Sequence, residues 1–158
     1  MTSMRAMFKE ASVFNQPLAN WDTAKVTDMG SLFEDARAFN QDIGSWLTNQ
    51  VTDMSHLFRK AMKFDQALEN WDTSRVTTME AMFQQAISFN QEIGNWNTSK
   101  VTSLRGMFLE ATTFNQDIDQ WNTSNVTDME SMFQKAVAFD QKIDNWNTSK
   151  VTTMAKLF

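Results

Sequence analysis

VTTMEAMFQQAISFNQEIGNWNTSK, running from Val76 to Lys100, is the unit from which the whole chain is copied. Val recurs every 25 residues, at Val26, Val51, Val76, Val101, Val126 and Val151. All six Trp fall in one column: Trp21, Trp46, Trp71, Trp96, Trp121 and Trp146. All 13 Phe fall in two columns, one running from Phe8 to Phe158 and the other from Phe14 to Phe139. No insertion breaks the count. A fixed period of 20–50 residues marks a solenoid or array. The repeats are approximately 1–25, 26–50, 51–75, 76–100, 101–125 and 126–150, with a partial copy at 151–158, in one uncapped array.

Val26 to Gln50 shows the chemistry of one unit. Thr27 followed by Asp28 reads as a helix start, a hydroxyl cap and then an acid where the helix dipole favours it. Two copies sharpen this to a capping box, Thr77 with Glu80 and Thr127 with Glu130. Met29, Leu32, Phe33 and Ala36 then fall at i, i+3, i+4 and i+7, one apolar helical stripe. The spacing predicts a helix over 27–37. Ala36 is alanine in every copy, from Ala11 to Ala136, which predicts close approach between coils.

The segment from Phe39 to Trp46 reads as irregular or 3₁₀. After it, alternation in the Trp-x-Thr-x-x-Val stretch, as from Trp96 to Val101, predicts a very short strand with Trp and Thr inward and Asn outward. The expected fold is an α/β repeat solenoid of leucine-rich-repeat type: about six coils, each with one short helix and one very short parallel strand. Strands stack about 4.8 Å apart and helices pack 8–10 Å apart. Such a solenoid curves, with Asp22, Leu47, Asp72, Asn97, Asn122 and Asn147 lining its concave face.

The phrases FNQDIGSW (Phe39–Trp46), VTDMSHLF (Val51–Phe58) and WNTSNVTDMESMF (Trp121–Phe133) resemble the 25-residue repeats of the BspA-like leucine-rich-repeat surface proteins. The resemblance covers the whole chain. It departs at Thr23, Thr48, Thr73, Thr98, Thr123 and Thr148, where family copies often carry Val; Thr is also a good strand residue. The resemblance implies a surface or secreted protein of bacterial or protist type that binds host or matrix partners.

Net charge is −5, which argues against nucleic acid or an anionic membrane as partner. No apolar run reaches about 18 residues, so no membrane insertion is expected. There is no Cys, hence no disulfide and no thiolate metal site. Carboxylates at Asp28, Asp53 and Asp128, and at Asp42, Glu92 and Asp117, alternate with other residue types, so no calcium site repeats. Neither a metal nor another cofactor is expected. His56, the single histidine, reads as a solvated surface residue with no nucleophile beside it. The Met, Phe and Trp columns read as core, with a partly open Trp ladder as the exception to look for.

The pair Asn15-Gln16, repeated through Asp140-Gln141, reads as stacked amides bridging backbone groups between coils. Sequons at Asn97, Asn122, Asn125 and Asn147 arise largely from the repetition itself. Neither end carries a polar capping repeat, which predicts either a piece of a longer array or ends that stack on further copies. The expected function is a non-catalytic interaction or adhesion module. It would present Asp22, Leu47, Asp72, Asn97, Asn122 and Asn147 to a protein or glycan partner. The alternative is a scaffold that self-associates end to end.

Overall fold

Parallel backbone bridges join Ser3 to Asp28, Asp28 to Asp53, Asp53 to Thr78, and so on to Thr153, one step per repeat. The computed structural model describes residues 1–158 and places equivalent residues of successive coils one above another. The solenoid and its period stand. The helix and the strand of each coil do not.

No helix forms over 27–37 or in any other copy, and extended backbone is confined to those single bridges. The segment is instead a run of tight turns. Leu32 N–H donates to Met29 O, Glu34 N–H to Ser31 O, and Ala36 N–H to Phe33 O, each three residues back. The intervening N–H groups leave the coil. Met29, Ser31, Phe33 and Asp35 donate to Asp53, Ser55, Leu57 and Arg59 of the next coil at 2.7–3.0 Å. Ser31 and Asp35 have φ of 56° and 57°, where a right-handed helix needs about −63°. The same two columns are left-handed in the other copies, for example His56, Lys60, Ala81 and Gln85.

Spacing explains why turns displace the helix. Direct backbone bonds between coils hold them at ladder distance, about 4.8 Å. A stack of helices would need 8–10 Å. The inward pattern is unchanged by the substitution: Met29, Leu32, Phe33 and Ala36 are all fully buried. The capping boxes fail with the helix. Thr77 Oγ1 donates to Thr52 O in the preceding coil, and the Glu80 N–H is capped by Thr78 Oγ1 instead. The unequal spacing of helices and strands was the reason to expect an arc, so that argument for a concave face falls away.

The predicted strand is corrected in a similar way. Its alternation is right: Trp71 and Thr73 are buried and Asp72 is exposed. Its bonding is carried by side chains. Thr23 Oγ1 donates to Leu47 O at 3.1 Å and accepts from Leu47 N–H at 2.9 Å. Thr48, Thr73, Thr98 and Thr123 donate likewise to the next coil. A Val at this column could not make these bonds.

One continuous core of 39 buried residues runs the length of the array. Rings from Phe8 to Phe158 stack with centroids 5.5–5.8 Å apart from coil to coil. The second Phe column lies close beside the first, Phe33 and Phe39 being 3.9 Å apart. Trp46, Trp71, Trp96 and Trp121 are buried, so the Trp ladder is closed in the internal coils, while Trp21 is exposed and Trp146 half-buried at its two ends. Each indole N–H reaches back a coil, as Trp96 Nε1 does to Leu68 O at 3.1 Å.

The amide stack forms as the sequence predicts. Asn90 N–H donates to Asp65 Oδ1 at 2.9 Å, and Gln91 Nε2 donates to the same oxygen at 2.9 Å. Asn115 and Gln116 repeat the pattern on Asn90. The first residue of each pair works as an acceptor, so Asn and Asp interchange. The second works as a donor, and only Gln occurs there. Gln91→Ala should lower stability by about 0.5–1.5 kcal/mol, the net worth of a part-buried hydrogen bond. Gln91→Glu should cost more, because it sets a carboxylate against Asp65. Asn90→Asp should change stability by less than about 0.5 kcal/mol. Chemical denaturation of the three variants checks this order; equal midpoints for Gln91→Glu and Asn90→Asp would refute the donor–acceptor assignment.

Candidate functional site

Three outward surfaces could meet a ligand. The first is the row Asp22, Leu47, Asp72, Asn97, Asn122 and Asn147. The threonine bonds beside it bring these six residues into one register, and all are exposed. Five of the six also have a local structural task. Asp72 Oδ1 accepts from Ser74 N–H at 2.9 Å, and Asp22, Asn97, Asn122 and Asn147 do the same two residues on. These are Asx turns, in which the side chain closes its own loop. Bonds from the Ser74 hydroxyl and backbone N–H hold the Asp72 carboxyl below the usual aspartate range. Leu47 cannot cap, yet the turn at 49–50 still forms.

The second surface is a band of charges on the turn segment. Glu34 sits between Lys9 Nζ at 3.1 Å and Arg59 Nη1 at 3.2 Å, one coil to either side. Glu110 is bridged to Gln85 and Lys135 in the same manner. Arg5 reaches across Gly30 to Asp28 and Asp53, and a Cβ on Gly30 would collide with its guanidinium. Burial pushes the Glu34 carboxyl upward. Hydrogen bonds from Ser31 and Lys9 and the charges of Lys9 and Arg59 outweigh that, so it lies below the ordinary glutamate range.

The third surface comprises two polar hollows. One, of about 360 Å³, is lined by Glu69, Glu92, Gly94, Asn95, Gln116 and Asp117. Its carboxylates do not converge: no three His, Cys, Asp or Glu side chains gather closely enough to hold a metal ion. The other, of about 250 Å³, lies over the turn segments of the third to sixth coils. His56 and Arg59 line it. His56 is half-buried rather than freely solvated, and its Nδ1 is shut off from solvent with no hydrogen-bond partner. Arg59 Nε is in the same condition. Sequence reasoning missed this place. Its faint signal was the column order His56, Ala81, Gly106, Ser131, a bulky ring followed by three small residues.

A model of the family described as "Mycoplasma protein of unknown function, DUF285" matches residues 1–72 and 64–158. The chain belongs to the DUF285 family. The two matches overlap at 64–72 and together cover every coil, in keeping with an array of like units. No curated protein and no solved structure matches this DUF285 chain. No helix is long and apolar enough to cross a membrane.

The depressed Glu34 carboxyl has a pH signature. A carboxylate whose folded pKa lies below its unfolded value adds stability above the unfolded pKa. That contribution is lost as pH falls through the folded one. Stability should therefore fall as pH drops below about 4.3, the unfolded glutamate value. Glu34→Gln should flatten part of that acid limb and leave the neutral region nearly unchanged. Urea midpoints measured from pH 7 to pH 3 give the comparison; parallel curves would show that Glu34 does not contribute.

Proposed function

We propose that the array is a non-catalytic binding module of a surface protein, presenting its variable outward residues to a protein or glycan partner. One observation carries the reading: the division of labour within the repeat. Side chains that recur in every copy are committed to the frame, Trp by its N–H bond to the preceding coil, Gln by the amide stack, Ala by burial. Among side chains that differ between copies, Leu47 and Asp72 are exposed, and the half-buried His56 and Arg59 line a surface hollow. A frame of uniform coils with a non-uniform surface suits recognition, since repeat arrays offer extended faces built from neighbouring units.

The resemblance of FNQDIGSW and WNTSNVTDMESMF to the BspA-like repeats supports the same reading, and with it a place at the cell surface or outside the cell. Charge supports a partner other than nucleic acid, because clustered Lys and Arg are needed to neutralise phosphates. The exposed row is the face to test first. Its Asx caps can be removed without losing the turn, as Leu47 shows.

Changing Asp72, Asn97 and Asn122 together to Lys should abolish binding to immobilised matrix proteins or glycans while the melting transition stays cooperative. Undiminished binding by the folded triple variant would rule this row out. A ladder of sizes in sedimentation that grows with concentration would favour assembly of copies over presentation of a face.

A further inference from the structure

We propose that the hollow between His56, Arg59 and Arg105 is a binding site for a neutral sugar residue. The proposal rests on the glycan branch of the binding-module reading and names where such a ligand would sit.

The hollow is built by one column of the repeat. Ala81, Gly106 and Ser131 line it together with His56 of the same column, and Arg59 and Arg105 complete the polar part of the lining. His56, Ala81, Gly106 and Ser131 all have φ between 52° and 57°, a backbone that coil-to-coil bonds hold in place. That column is therefore a fixed part of the lining. After His56 its side chains are small, which leaves room beside the imidazole.

Two polar atoms of the lining have no partner in the protein, His56 Nδ1 and Arg59 Nε. Buried polar groups are ordinarily paired. Since Nδ1 bonds to nothing, a half-turn of the imidazole breaks no hydrogen bond and changes which ring edge faces the hollow. Arg59 is anchored at its far end by Glu34, so its Nε is held in position.

Charge decides between ligand classes. The two arginines are already paired, Arg59 with Glu34 and Arg105 with Glu130 at 2.9 Å. Glu80 stands in the same lining. An anion would meet these carboxylates without a free cation to offset them. A hydroxyl both donates and accepts, and the lining offers both kinds of partner: donors on His56 and Gln84, acceptors on Glu80 and Gln84. Leu109 and Ala81 are the only hydrophobic residues of the lining, and because Ala81 is buried, Leu109 is the side chain that the C–H face of a ring would meet. At about 250 Å³ the hollow is smaller than sites that enclose drug-sized molecules, which suits one sugar ring of a longer chain.

The test is an NMR titration of the whole chain, labelled at His56, Arg59 Nε and Gly106, with cellobiose, maltotriose, chitobiose and, as the anionic control, glucuronate. Saturable shifts at the three positions with at least one neutral sugar are expected, and none with glucuronate. Gly106→His should remove those at His56 and Arg59. That variant is built to fold, since a Cβ there meets only the Leu109 side chain, at 3.9–4.0 Å, and His56 already occupies this column at the same φ. His56→Ser, with Ser as at Ser31 and Ser131, should weaken binding by about tenfold. Shifts with glucuronate alone, shifts that survive in Gly106→His, or no saturable shift with any neutral sugar overturn the proposal. Retained binding by the Asp72–Asn122 row in Gly106→His would confine the failure to this hollow; loss of binding by both surfaces would sink the module reading as well.

Discussion

The bond from one coil's backbone to the next sets everything else in this protein. It fixes the rise at ladder spacing, and no element thicker than a single strand of chain fits between successive layers. Phe rings, Trp rings, methionines and amides must then recur once in every layer. A chain that gained or lost one residue in any coil would shift each of these columns at once. The unbroken period of the sequence is the visible form of that demand.

Much of this was legible before any coordinates. The columns of Phe, Trp, Val and Ala identified the core, and the burial of Phe33, Met29 and Ala36 follows from their periodicity. The amide stack followed from asking where turn backbone groups find partners. Secondary structure was not legible, for a specific reason. An apolar pattern at i, i+3, i+4 and i+7 fits a helix, and it fits equally a run of tight turns that points the same side chains inward. The left-handed residues that separate the two carry ordinary side chains such as Ser31, His56 and Lys60, with glycine only at Gly106. What distinguishes their columns is an absence: no Val, Ile or Thr stands in either one, and branched side chains are the ones least tolerated at positive φ.

The candidate sites divide along the same line. The exposed row from Asp22 to Asn147 could be found by alternation, though its capping duty could not, because an Asx turn depends on backbone geometry. The hollow beside His56 depends on which neighbour in the adjacent coil is small. That is a relation between residues 25, 50 and 75 positions apart, visible only when the copies are laid in register. Acidic, basic and amide side chains along the turn segment pair between coils for the same reason, as Lys9, Glu34 and Arg59 do.

Each internal coil meets its neighbours through the same set of bonds, donated and accepted at the same places. A cut after Arg75 rejoined at Val101 would bring together two surfaces that already match, column for column. Unequal exchange between tandem copies of the gene would thus alter the length of the array by whole layers, with no seam to repair. The reach of the molecule and the patterning of its exterior can drift through evolution while the interior chemistry stays the same.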